Sequence, residues 1–273
     1  MRPLREAAGQ SPVPEETVMR ANKVKQALQQ GQTVYGCAFN TLRVPEVARI
    51  LAAAGFDYTY LDAEHGNFGI ESIQDIARAA ADAGIVPLVR VAELQYSLVA
   101  RALDNGALGI IFPRVESREV LERAVSWCRF PPEGVRGFGL TPSHVNYENA
   151  SIGEIASHAN ANTLVVLQIE TALAVELRDE LLAVPGLDVV MIGPVDLSIS
   201  LGVAGDFFHP KMEEAIGKIR DSALRHGIVP GIQTRPLDLA KHWRDRGFRF
   251  IGCGAETGML LQGAKAVVNG LRQ

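Results

Sequence analysis

The feature that most restricts what this 273-residue chain can fold into is a recurring punctuation. A helical stretch ends in a glycine, one apolar residue follows, and a strand-like run begins. The mark falls at Gly55-Phe56, Gly84-Ile85, Gly106-Ala107, Gly227-Ile228 and Gly247-Phe248. A helix C-terminus often closes in the left-handed conformation, which glycine enters without a Cβ penalty. The intervals vary, so the recurrence is one of structure and not of sequence.

The runs between these marks predict eight strands, at 34–39, 57–61, 86–90, 108–112, 163–169, 188–192, 228–232 and 249–253. Helices are predicted between them. Pro45 to Ala54 carries its proline early, and Ile70 to Ala83 sets Ile70, Ile73, Ile76, Ala77 and Ala80 on one face. Eight strands alternating with helices predict an α/β fold, a closed (β/α)8 TIM barrel. The runner-up, an open doubly wound sheet, usually carries a Gly-rich nucleotide loop after an early strand, and none is present. Residues 1–25 read as a polar tail and the start of a leading helix over Val18 to Gln29, and residues 26–273 as one barrel domain.

With 47% apolar residues the chain can bury one large core. The net charge of −4 and scattered basic residues point away from a nucleic-acid or membrane-surface partner. No apolar run approaches the roughly 20 residues of a membrane span, and no signal-peptide pattern is expected at the N-terminus. Cys37, Cys128 and Cys253 lack metal-binding spacing, which predicts reduced thiols and a cytoplasmic location.

The stretch Leu164 to Ser200 concentrates the chemistry. VVLQIET and VVMIGPVDLS are apolar runs that stop at carboxylates, Glu170 and Asp196, with a short helix capped by Thr171 between them. Either acid alone is explained by a helix cap or a closed turn. As a pair at neighbouring strand ends they suit a hard divalent cation that takes its remaining oxygens from water and substrate.

In barrels the chemistry sits past the carboxyl ends of the strands. Those positions hold Asp62, Glu64 and His65 after strand two, Arg90 at strand three, Pro113, Arg114 and Glu116 after strand four, and Gln168 with Glu170 at strand five. Gly193, Pro194 and Asp196 follow strand six, Gln233 and Arg235 strand seven, and Cys253, Gly254 and Glu256 strand eight. His65 is a candidate general base, with Asp62, Glu64 or Asp104 to orient its ring. Arg90 is read either as a salt bridge to Asp62 or Glu64, or as a clamp on a carboxylate or developing enolate oxygen. None of the six lysines falls at a predicted strand end, which argues against a Schiff base. Residues 129–162, rich in Gly, Pro and Asn, are expected to be a functional flap, with a subunit contact or plain surface loop as the alternatives.

The order YLDAEHG, PLVR, LDNGALGIIFPRVES, RFPPEGVRG, LQIET and IGPVDLS resembles the HpcH/HpaI aldolase family from about Thr33 to Gln273. The resemblance implies a metal-dependent aldolase that cleaves a 4-hydroxy-2-keto acid to pyruvate and an aldehyde through a pyruvate enolate. It implies Glu170 and Asp196 as ligands of Mg²⁺, Mn²⁺ or Co²⁺, Arg90 at the keto oxygen, and His65 paired with Asp104 as catalytic base. The substrate-facing set becomes Arg90, Gln168, Gly193, Pro194, Val195 and Asp196, with the amides around Val195 and Asp196 on the pyruvate carboxylate. Asp62 and Glu64 are secondary candidates. A homohexamer, a trimer of dimers with the C-terminal helix exchanged between subunits, is also implied. Gly139 to Asn149 and the first 25 residues depart from the family pattern, and the departures bear on which aldehyde is used. The alternatives are a CoA-thioester lyase of the citrate lyase or malyl-CoA lyase type, for which Arg114, Arg136 and Arg235 are the basic candidates, and a non-catalytic barrel. Arg90→Ala is expected to remove most aldol chemistry and leave the fold intact.

Overall fold

The computed structural model describes residues 19–139, 147 and 149–273. The tail predicted at the N-terminus therefore lies outside the described residues as far as residue 18, as do residues 140–146 and 148.

The strands are β1 (Val34–Phe39), β2 (Tyr58–Asp62), β3 (Val86–Arg90), β4 (Gly109–Phe112), β5 (Leu164–Ile169), β6 (Val189–Ile192), β7 (Val229–Thr234) and β8 (Phe250–Ala255). They pair in parallel in chain order, and β1 also pairs with β8, so the sheet closes into an eight-stranded barrel wrapped by helices. The expected (β/α)8 architecture is the one observed. The five punctuating glycines all adopt positive φ, from +70° to +106°, a conformation that disfavours a side chain.

Period-two alternation builds two cores from the same strands. Tyr58, Tyr60, Leu88, Ile111, Val166, Met191 and Phe250 fill the barrel interior. Their neighbours Leu61, Val89, Ile110, Leu167, Val190 and Ile232 face outward and pack against the helices. Inside, Tyr58 stacks on Phe250 with ring centroids 4.1 Å apart. Gly36 makes room for that stack, since a Cβ there would stand 2.3 Å from the Tyr58 ring.

The barrel's two ends differ. The amino-terminal end is plugged by the helix Lys23–Gln29, capped by Asn22, whose side chain accepts the Lys25 N–H and donates to the Leu108 carbonyl. Lys25 reaches in with its Nζ 2.9 Å from the Thr163 carbonyl and 3.1 Å from Asp188. Burial lowers its pKa, and Asp188 resists that shift. The carboxyl-terminal end is left for the site.

The segment 129–162 corrects an expectation. The helix Arg118–Ser126 returns the chain to the amino-terminal end, where the Phe130 N–H donates to Asn160 at 2.7 Å and Arg129 lies 3.7 Å from Asp188, just before β6. Both ends of the segment thus sit opposite the mouth. The reason is topological: a connection from helix to next strand in a parallel barrel lies at the strands' amino ends. It ends in the helix Ile152–Asn162, entered through a Ser151–Glu154 capping box.

After β8 the helix Glu256–Leu271 leaves Leu260, Leu261, Val267 and Leu271 exposed. Among the described residues no helix is long and apolar enough to cross a membrane, and all three cysteines are free thiols.

Candidate active site

The carboxyl ends of the strands surround a cavity of about 200 Å³. One wall starts at Asp62, the last residue of β2 and 1% exposed. Its carboxylate accepts two bonds from Arg90, Nε at 3.0 Å and Nη2 at 2.6 Å, and the backbone N–H groups of Glu64 and His65 at 3.1 and 3.2 Å. Registry explains the fork, since Asp62 and Arg90 are directly paired positions of β2 and β3. Glu64 adds a second acid, 3.2 Å from Arg90 Nη1. Burial works against the guanidinium's charge, but the Asp62 hydrogen bonds and the surrounding negative charge hold its pKa above the usual arginine value.

From Arg90 a polar chain crosses to the next wall. Arg90 Nη1 donates to Gln168 Oε1 at 3.5 Å, and Gln168 Nε2 donates to Glu170 Oε2. The other Glu170 oxygen accepts the Arg114 N–H at 3.1 Å. Arg114 sits at φ +55°, a left-handed conformation costly for a residue with a side chain, and that turn aims its N–H at Glu170. Glu170 is 2% exposed. Burial raises its pKa; the Gln168 hydrogen bond opposes that shift, and repulsion from Glu64 and Asp196 adds to it.

Asp196 lies in the first turn of the helix Pro194–Ser200 and lines the cavity beside Glu170's strand. Gly193 separates the two strand ends. A Cβ there would stand 2.9 Å from Glu170 Oε2 and 3.0 Å from Gln168 Nε2, so glycine lets the backbone close on the carboxylate.

This arrangement fits a divalent cation. Two carboxylates repel each other across an open cavity, one of them buried and reluctant to ionise, and a cation between them relieves both penalties. Among the described residues no group of three or more His, Cys, Asp or Glu side chains could hold a metal. A pair of carboxylates is a ligand set that Mg²⁺ accepts when water or substrate supplies the remaining oxygens.

Of the residues singled out in the sequence, Asp62, His65, Arg90, Gln168, Gly193, Pro194, Val195 and Asp196 line one cavity. Glu64 and Glu170 stand directly behind it, in contact with Arg90 and Gln168. Asp104 does not join them. It ends the helix Tyr96–Asp104 at the amino-terminal end of the barrel, bonded to Arg136 Nη2 at 2.7 Å. Within one chain the expected His65–Asp104 pair is not formed, because the helix carries Asp104 away from the rim. The acid nearest the His65 ring is Glu64, 3.7 Å from Nε2. Burial raises the pKa of Glu64, against the pull of Arg90 and His65.

Asn40 is a lining residue that the sequence does not single out, whereas Arg235 is placed at its strand end. Asn40, just past β1, has a buried side-chain oxygen with no partner among the described residues. Arg235, just past β7, is exposed into the same cavity. The strand-end rule reaches Asn40 once it is applied to the first strand as well. Arg136 leaves the rim set, since it lies with Ala107 and Leu108 before β4.

Comparison with known proteins adds an independent line. The model of the HpcH/HpaI aldolase/citrate lyase family matches residues 36–263. The hydroxypyruvate/pyruvate aldolase of Roseobacter denitrificans is 33% identical over 249 residues, covering 90% of this chain and 95% of the relative. The 5-keto-4-deoxy-D-glucarate aldolase of Shigella sonnei is 32% identical over 238 residues, covering 87% and 92%. The crystal structure of an HpcH/HpaI aldolase from Desulfitobacterium hafniense superposes with a TM-score of 0.86 at 32% identity, covering 91% of this chain and 96% of that one.

Proposed function

The chain belongs to the HpcH/HpaI aldolase/citrate lyase family, and on that footing we propose that it is a divalent-metal-dependent aldolase interconverting a 4-hydroxy-2-keto acid with pyruvate and an aldehyde. The observation that carries the reading is that Arg90 and Asp196 line one small cavity while Glu170, joined to Arg90 through Gln168, stands directly behind its wall. Oxygen donors for a hard cation and a guanidinium that keeps its charge meet where a keto oxygen becomes an enolate oxygen.

Glu170 and Asp196 would hold Mg²⁺, Mn²⁺ or Co²⁺, which when bound supplies Lewis-acid pull on the keto oxygen. The chain's own groups supply the rest. In cleavage His65 takes the proton of the 4-hydroxyl as the C3–C4 bond breaks and the aldehyde leaves. The electron pair passes into the enolate, and C3 regains a proton to give pyruvate. Arg90 has five N–H donors, commits two to Asp62 and turns Nη1 to Gln168 and Glu64, so it stays fixed and the second N–H of Nη2 is left for the oxygen on which charge develops. Asp62 and Glu64 hold Arg90 rather than act on substrate. Gln168 ties Arg90 to Glu170 and keeps their spacing. The amides around Val195 and Asp196 at the mouth are assigned the pyruvate carboxylate.

A CoA-thioester reading has less support. Of its three basic candidates Arg136 lies at the other end of the barrel. The intact acid, arginine and histidine set argues likewise against a non-catalytic barrel. The exposed leucines of the helix Glu256–Leu271 suit packing against another copy, in keeping with an oligomer. The test is a panel of aldehydes offered with pyruvate and each of the three metals, scored by pyruvate consumption. The proposal expects metal-dependent consumption with at least one aldehyde, and full activity in chelator would overturn it.

A further inference from the structure

A second cleft, of about 380 Å³, opens at the other end of the barrel beside the helix Lys23–Gln29. Its lining comes from the amino ends of the strands. Leu164 opens β5, Asp188 precedes β6, Val229 opens β7 and Arg249 precedes β8. The filled barrel interior separates this cleft from the cavity at the carboxyl ends.

Charge in the cleft does not balance. Lys25 and Arg249 line it with one acid, Asp188. That acid is already matched, since it accepts the Val165 N–H at 2.8 Å and stands 3.1 Å from Lys25 Nζ and 3.7 Å from Arg129. Arg249 has no carboxylate partner among the described residues, and its Nη1 donates to the Leu28 carbonyl at 3.4 Å. Its backbone is held on both sides, the N–H donating to Pro230 at 3.0 Å and the carbonyl accepting from Val34 at 2.8 Å. Lys25 Nζ turns two of its three N–H groups to the Thr163 carbonyl and Asp188 and keeps one. Burial lowers the Lys25 pKa, and an anion beside it would favour the charged form. The hydrocarbon of Leu28, Leu164 and Leu187 lines the same space.

We propose that this cleft is a second ligand site, for a small organic carboxylate whose head group Arg249 holds within the field of Lys25 and whose body lies on Leu28, Leu164 and Leu187. A guanidinium fork matches the two oxygens of a carboxylate. Apolar walls with a few placed polar groups are the usual make-up of a small-molecule site. An inorganic oxyanion would leave the leucines unused. The site lies away from the catalytic cavity and stands whether or not the aldolase reading does.

The test is calorimetry on the metal-loaded protein at fixed ionic strength, with hexanoate as the probe and acetate, hexan-1-ol and inorganic phosphate beside it. Hexanoate should bind about tenfold or more tightly than acetate, which lacks the body, and than hexan-1-ol, which lacks the charge. Arg249→Gln should weaken hexanoate about tenfold or more, and Arg249→Lys should restore part of the loss. Arg235→Gln, at the other end of the barrel, should leave hexanoate binding unchanged. Bound hexanoate should slow amide hydrogen exchange at residues 29–31 and 227–229. Absence of hexanoate binding, phosphate binding as tight as that of hexanoate, or affinity that survives Arg249→Gln each overturns the proposal. Hexanoate binding lost in Arg235→Gln, with protection confined to residues 193–196 and 233–235, would place the carboxylate in the catalytic cavity and overturn it as well.

Discussion

Arg90 is fixed to Asp62 by a two-bond fork, Nε to Oδ1 at 3.0 Å and Nη2 to Oδ2 at 2.6 Å, with the carboxylate almost wholly buried. Arg90→Ala removes a preset donor, so aldol turnover should fall about 10²–10³-fold. It also strands a buried charge, and unfolding free energy should fall by roughly 3–5 kcal/mol. The expectation that this substitution spares the fold is therefore not what the geometry supports. Arg90→Lys is the cleaner probe: it keeps the charge, loses the fork, and should cost less stability while still losing most turnover. Urea denaturation and kcat measured on the same samples check both.

Gly193→Ala should weaken metal binding about 10–100-fold, because its Cβ would press on Glu170 and on the Gln168 amide that holds it. Titration with Mn²⁺ followed by electron paramagnetic resonance reads the affinity, and circular dichroism should show the barrel retained. Unchanged affinity would mean that the cradle does not shape the site.

In chelator-treated protein Glu170→Gln should raise stability at pH 8. Burial raises the Glu170 pKa in the folded chain above its unfolded value. Between the unfolded value and that raised one the native state binds the extra proton, so wild-type stability falls as pH rises. The gain from Gln should therefore shrink as pH drops through the raised pKa and vanish below the unfolded one. Thermal melts from pH 4 to 8 test it.

Glu256→Ala should destabilise the chain by roughly 3 kcal/mol, since this buried carboxylate accepts the N–H groups of Asn40, Thr41 and Leu42 and ties the β1 loop to the end of β8. Amide hydrogen exchange should quicken at those three positions. If it does not, the loop is held by something else.

The sequence announces the barrel because its marks are local. Gly55, Gly84, Gly106, Gly227 and Gly247 each end a helix by their own backbone geometry, and Thr171 caps the next helix through its own hydroxyl. The strand-end rule likewise brings Asp62, His65, Arg90, Gln168 and Asp196 to one mouth, because side and end follow from counting. Pairing across strands is less visible. Arg90 forms the salt bridge that was one of its two readings, and β2–β3 registry is what brings it onto Asp62. Which end of the barrel holds Asp104 and the two ends of the 129–162 segment was not read from the sequence. Each lies on the return from helix to strand, and that parity, readable from the order of elements, puts them at the far end.

The central claim is that Glu170 and Asp196 hold a cation which, with Arg90, lets pyruvate carry charge as its enolate. Exchange of the pyruvate methyl protons with deuterated water, followed by proton NMR without any aldehyde, addresses it most directly. Wild type with Mg²⁺ or Mn²⁺ should exchange them readily, and chelator or Asp196→Asn should bring the rate to background. Exchange that continues undiminished in chelator, or in Asp196→Asn, would contradict the account.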